Sequence, residues 1–194
     1  METGTVRGTL TEAERALLLR LAREEIRATV TGAAPPAVDP GELSDALRVP
    51  HGAFVTLTVG EDLRGCMGTL DFSEPLWVNV LAAAASAASR DPRFYPVEPD
   101  ELGAILIEVT VLEPPVELAD KAAFDPQVQG IIVERRGRRA LLLPQVAQRY
   151  GWDAGRTLAA VCEKAGLAPD AWRAPDARLS VFLATSFEED VAGG

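Results

Sequence analysis

The sequence predicts an α+β protein organised by antiparallel hairpins, and three observations carry that expectation. Two segment pairs read as hairpins: Phe54–Val59 with Leu63–Gly68, and Ile131–Glu134 with Ala140–Leu143. A near-continuous apolar run, Ile105–Leu112, suits a central strand. Around them, apolar residues recur at helical spacing before the first hairpin and after the second.

In chain order, Thr11-Glu12-Ala13-Glu14 is a capping-box pattern, followed by Leu17, Leu18, Leu21 and Ile26. It predicts an amphipathic helix from about Glu12 to Ala28. Thr31 to Pro40 holds Pro35-Pro36 and reads as a loop, and Leu43–Leu47 as a short turn of helix. After the first hairpin, Ser73 is the expected cap of a helix with Glu74 and Pro75 in its first turn. That helix runs through Trp77 to about Ser89, and its alanines suit close packing in the core. Arg90-Asp91-Pro92-Arg93-Phe94-Tyr95-Pro96 then takes an extended path.

Glu113-Pro114-Pro115 stops the central strand, and residues 116–129 read as irregular. The second hairpin turns through Arg135-Arg136-Gly137-Arg138-Arg139, a basic tip that reads either as a solvated turn or as a contact for an acidic partner or nucleic acid. Pro144 to Tyr150 is a short helix broken by Gly151. Asp153 caps the next, Ala154 to Ala165, which Gly166 closes. Cys162 falls on the apolar face of that helix, as a small core residue. A last strand spans about Arg178 to Phe187.

The bulk properties exclude several functions. A chain of 194 residues fits one domain, or one with a smaller lobe, and can bury a core without staples. A net charge of −10 disfavours nucleic acid as a partner. Cys66 and Cys162 are far apart and His51 is the only histidine, so no metal site is expected. Thr11 to Val30 is charged and amphipathic, unlike a signal peptide, and no segment has the ~20 apolar residues of a membrane span. A cytoplasmic protein with reduced thiols is expected.

The candidate site is Leu63-Arg64-Gly65-Cys66-Met67-Gly68. With the turn centred on Glu61, Cys66 falls opposite Thr56, Arg64 opposite Thr58, and Gly68 opposite Phe54. Arg64, Cys66, Thr56 and Thr58 then share one face, with Leu63, Met67, Val55, Leu57 and Val59 on a core face. Gly65 and Gly68 leave backbone open beside the thiol, where a ligand or another chain comes close. Asp91 and Arg93 admit two readings: an anion-holding pair, or an aspartate that caps or pairs for structural reasons.

An ordered set of motifs resembles one family. The set is Gly52-Ala53-Phe54-Val55-Thr56-Leu57, Leu63-Arg64-Gly65-Cys66-Met67-Gly68, Asp91-Pro92-Arg93-Phe94, Leu143-Pro144-Gln145-Val146-Ala147, Gly151-Trp152-Asp153 and Lys164-Ala165-Gly166-Leu167. It is similar to the AMMECR domain family, whose prokaryotic members are called AmmeMemoRadiSam system protein A, over about Leu17 to Phe187. The resemblance implies that residues 1–194 form one such domain of two α+β lobes. The larger lobe, from N- and C-terminal parts, surrounds a mainly antiparallel sheet flanked by helices, and a cleft between the lobes gathers the motif residues. It implies a Memo-like protein and a radical S-adenosylmethionine protein as partners, and no particular reaction or cofactor. Two departures stand out: Met67 where members commonly carry Ile, and Gln129-Gly130 where many carry His-Gly.

The enzyme reading makes Cys66 a nucleophile or group acceptor, with Arg64 beside it favouring the thiolate. His51 is five residues of strand from the level of Cys66, roughly 16 Å, so a Cys–His dyad is disfavoured. The alternative is a binding or adaptor module in which Arg64, Arg93, Asp91, Thr56 and the glycine backbone hold an anionic small molecule or a protein partner, and Cys66 only packs.

Overall fold

The computed structural model describes residues 10–190 and divides into two units, 10–111 with 185–190, and 112–184. The chain is α+β, and each unit carries antiparallel strands against helices of its own.

The first unit opens with α1 (Glu12–Thr31), one turn longer than expected because nothing stops it before Gly32, which takes the left-handed conformation at φ 70°. The capping box forms in full: the Glu14 amide donates to Thr11 Oγ1 at 3.3 Å, and the Thr11 amide to Glu14 Oε2 at 2.7 Å. After the short α2 (Asp45–Arg48) come β1 (Gly52–Val59) and β2 (Asp62–Thr69), then α3 (Leu76–Ser89). Strand order in this unit is β2-β1-β3, with β3 spanning Ile105–Leu112, and the end of β7 (Arg178–Glu188) lies beside β3. The Glu189 amide donates to the Ile107 carbonyl at 3.0 Å there.

Leu18, Ala22 and Ile26 of α1, Val80, Ala83, Ala84 and Ala87 of α3, and Ala53, Val55, Leu57, Ile105, Ile107 and Val109 of the strands form one buried core. The alanines of α3 let the helix lie close on the hairpin, as expected. Arg23 ties the unit's ends together. Its guanidinium donates to the Leu102 and Ile105 carbonyls at 3.0 and 2.7 Å and to both carboxylate oxygens of Glu189.

Two expectations fail in this unit. Ser73 does not cap α3, whose N-cap is Pro75; its amide and hydroxyl both bond Asp71 Oδ1, at 2.8 and 2.6 Å, closing a turn. The buried Asn79 instead secures this corner, donating to the His51, Asp71 and Glu74 carbonyls. Val59 and Leu63, placed on the core face, are 36% and 40% exposed because the hairpin tip extends past the packed region.

In the second unit, β6 (Arg138–Leu142) pairs β5 (Gln129–Arg135), β5 pairs β7, and a short β4 (Val116–Glu117) pairs the other side of β7. Residues 116–129 are thus not wholly irregular. The β5–β6 turn is Arg136-Gly137, both at positive φ (51° and 74°), the two-residue geometry that matches strand twist. Helices α4 (Pro144–Tyr150) and α5 (Ala154–Lys164) fall where the caps predict, with Asp153 Oδ1 accepting the Arg156 amide at 2.7 Å. Ile131, Val133, Leu158, Val161, Cys162, Leu179 and Val181 form a second core. Burial pushes the Cys162 thiol pKa up.

Gly65 faces the first core, and a Cβ there would overlap the Ala87 carbonyl oxygen of α3. Gly65→Ala should therefore destabilise the protein by about 1–3 kcal/mol through helix displacement. Urea unfolding of the two proteins measures this.

Candidate functional site

The first hairpin has the expected register over its inner part, with Thr56 opposite Cys66 and Phe54 opposite Gly68. It breaks between Leu57 and Thr58: Leu57 faces Gly65 and Thr58 faces Leu63, leaving Arg64 as the extra residue of a bulge. Arg64 is therefore not opposite Thr58, and the bulge re-aims its side chain. Its Nε and Nη2 donate to Glu101 at 2.6 and 2.9 Å, and Nη1 and Nη2 to the Tyr95 and Pro96 carbonyls at 3.0 and 3.2 Å. The bidentate pair raises the Arg64 pKa and lowers that of Glu101. Arg64 is committed to holding residues 95–101.

Asp91 is the side chain that reaches Cys66. Its carboxylate, with 2% of the side chain exposed, accepts the Cys66 amide on Oδ2 at 2.8 Å. It also binds Arg93, whose Nε donates to Oδ1 at 2.9 Å and Nη2 to Oδ2 at 2.6 Å. Arg93 Nη2 lies 3.4 Å from the Cys66 carbonyl and donates to it. The amide and carbonyl of one residue point to the same side of a strand, here away from β1, so the pair occupies edge positions that another strand would fill. Contrary to expectation, the segment is not extended from its start: the Phe94 amide donates to the Asp91 carbonyl at 3.1 Å, closing a turn with Pro92 at its second position. The Arg93 guanidinium, then the Cys66 amide, hold the Asp91 carboxyl well below the usual carboxylate range against the cost of burial.

The Cys66 thiol is part-exposed and outside any disulfide, and the Thr56 hydroxyl donates to its Sγ at 3.4 Å. Since Ala53, Val55, Leu57, Ile107 and Val109 face the helices, Thr56, Cys66, Glu108 and Thr110 share the opposite face of the sheet. Glu108 was hidden from sequence reasoning inside an apolar run. Burial, and then the Glu188 charge, raise its pKa, while Thr110 opposes the shift. On the same face Thr110 Oγ1 and Ser186 Oγ are 2.8 Å apart.

The remaining expectations fall as follows. The group that closes on Gly65 is the Ala87 carbonyl of the protein's own α3, and the ring of Phe54 occupies the space over Gly68. Phe54, Gly68, Thr56, Cys66, Asp91 and Arg93 are one cluster, while Gly65 belongs to the core. His51 Nδ1 is 3.2 Å from the Val49 carbonyl. Gln129 has a structural part: its side-chain carbonyl accepts the Asp125 amide at 3.0 Å, and Gly130 beside it makes room for the Phe182 ring. Among the described residues, no group of His, Cys, Asp and Glu is arranged to hold a metal ion, and no helix is long and apolar enough to cross a membrane.

Asp91→Asn removes the charge shared by the Cys66 amide, the Arg93 amide and the Arg93 guanidinium, and should cost about 1.5–3 kcal/mol at pH 7. A depressed carboxyl stabilises the fold above its unfolded pKa of ~3.9 and loses that contribution as pH falls toward the folded value. The gap between wild type and Asp91→Asn should therefore narrow below about pH 4, as read by denaturant titrations across pH.

Comparison with known proteins bears on the family and the fold. The AMMECR1 family model matches residues 19–187, which span the hairpin, the Asp91–Arg93 clamp and both cores. A protein of Methanothermobacter thermautotrophicus is 43% identical over 187 residues, covering 93% of this chain and 97% of its own. The MK0488 protein of Methanopyrus kandleri is 40% identical, at 95% and 93% coverage. The crystal structure of the uncharacterised protein PH0010 from Pyrococcus horikoshii superposes with a TM-score of 0.83 at 34% identity, over 91% of each chain. The chain therefore belongs to the AMMECR1 family.

Proposed function

We propose that this AMMECR1-family protein is the thiol-bearing component of a cytoplasmic enzyme system, with Cys66 as its reacting group. The observation that carries the reading is the state of that residue: a part-exposed thiol with a hydroxyl donor at Sγ and its backbone clamped on the open edge. A side chain held in this way is pre-organised for attack. In the proposed step Sγ bonds to an electrophilic carbon of the substrate, whose leaving group departs with the bonding pair. The Glu108 carboxylate, on the same face but two strands away, takes the thiol proton through bridging water. Its raised pKa makes it a better proton acceptor than an ordinary carboxylate. The family resemblance supplies the partners of this reading, a radical S-adenosylmethionine protein and a Memo-like protein.

Tyr95 favours a second reading, a binding or adaptor module. It is 91% exposed on the segment that Arg64 pins, and a rigidly mounted exposed tyrosine suits a protein–protein contact. An anionic small molecule fits less well, because Arg64 and Arg93 are already neutralised by Glu101 and Asp91.

Iodoacetamide labelling of the native protein, with peptides resolved by mass spectrometry, separates the two. The enzyme reading predicts that Cys66 reacts faster than a cysteine in an unstructured peptide, that Thr56→Val slows it, and that the buried Cys162 stays unlabelled. A Cys66 that labels no faster than the free peptide contradicts the enzyme reading and leaves the adaptor.

A further inference from the structure

The sheet of the second unit has two unlike faces. Ile131, Val133, Leu179 and Val181 point into the core with α5. Alternation places Glu117, Arg178, Ser180, Ile132, Glu134 and Arg139 on the other face. There they line, with Pro115, a half-enclosed pocket of about 410 Å³. That volume lies within the roughly 300–1,000 Å³ range of small-molecule sites.

The charges around this pocket alternate in sign from strand to strand. Across β4, β7, β5 and β6 they run Glu117, Arg178, Glu134, Arg139. Arg178 and Glu134 are direct cross-strand partners, as are Glu134 and Arg139. Even so, among the described residues no salt bridge joins any two of the four. The neighbouring arginines differ: Arg135 and Arg136 both bind Asp176, and Arg138 donates to the Gly166 carbonyl. An exposed cross-strand ion pair contributes only about 0.2–1 kcal/mol, so open charges here cost the fold little and stay available to a ligand.

The floor and wall are of another kind. Ile132 is 3% exposed and Pro115 is part-buried, giving apolar contact, and the Ser180 hydroxyl sits between Glu117 and Ile132 in the register. Residues 112–184 contain ten of the nineteen basic residues but only nine of the twenty-nine acidic ones, a net of +1 in a chain of −10. A site with this balance favours neither a simple anion nor a simple cation. It favours a molecule that carries both charges on adjacent groups.

We propose that this pocket binds a free α-amino acid. Arg178 takes the carboxylate through its two-pronged guanidinium, Glu134 and Glu117 on the flanking strands take the ammonium, and the side chain lies against Ile132 and Pro115. Arg139 is the cross-strand neighbour of Glu134 on its far side. Cys66 takes no part, so the proposal stands or falls independently of the thiol reading.

The test titrates the full chain with each of the twenty common L-α-amino acids, at low salt and up to millimolar concentration, following amide shifts by NMR. The expected result is saturable shifts at Ile132, Glu134 and Ser180 with one or a few of them. The N-acetyl and methyl-ester forms of the amino acid that binds should each lose roughly tenfold or more in affinity, and so should Arg178→Ala and Glu134→Gln. All these groups are on the surface, and unchanged circular dichroism confirms that the variants fold. Absence of saturable shifts with all twenty overturns the proposal. So does affinity that survives either blocked form or either substitution.

Discussion

The Asp91 carboxylate accepts the Cys66 amide on one side and the Arg93 guanidinium on the other, nearly shielded from water. A buried carboxylate is tolerable only when its charge is met by donors, and here the donors, the Arg93 amide included, all belong to the structure it organises. The strand it holds is an edge strand, whose outward amide and carbonyl would otherwise face solvent or another chain. Arg93 completes the arrangement by reaching the Cys66 carbonyl, so two side chains do the work of a neighbouring strand. The position of the Cys66 thiol, and with it that of Thr56, follows from this clamp.

Around the clamp the other arginine is equally committed. The bulge at Arg64 sends its guanidinium to Glu101 and to two carbonyls of the Tyr95–Pro96 segment, so the loop after α3 is pinned close to its middle. Sequence alone makes Arg64 and Arg93 look like charges awaiting an anion. In the fold each is already neutralised by a carboxylate, and what they provide is position. Cys66, Thr56 and Glu108 are part-buried on the face they share with the buried Thr110.

The parts of the fold that could be read from residue order are those governed by short-range rules. The Thr11–Glu14 capping box, the Asp153 cap, the Gly32 and Gly151 terminators and the two hairpins follow from local stereochemistry. Alternation placed Cys66 opposite Thr56 correctly, but a bulge is one residue of slack that alternation cannot register, so Arg64 was misaligned. Gly65 was legible as a close approach, though not as an approach by the Ala87 carbonyl, because that contact depends on how α3 packs. Ser73 was a plausible cap until Asp71 competed for it two residues earlier. Glu108 was invisible because nothing local distinguishes a carboxylate on a sheet's part-buried far face from one in a break of the strand. The alternating charges across β4, β7, β5 and β6 emerge only once four strands are in register.

Amide hydrogen exchange at Cys66 tests the clamp most directly. Although β2 is an edge strand, its Cys66 amide should be protected in the wild-type protein. It should lose most of that protection in Asp91→Asn, while the amides of β1 keep theirs. A Cys66 amide that exchanges as freely as an open edge in the wild type, or that is unaffected by the substitution, would contradict the account.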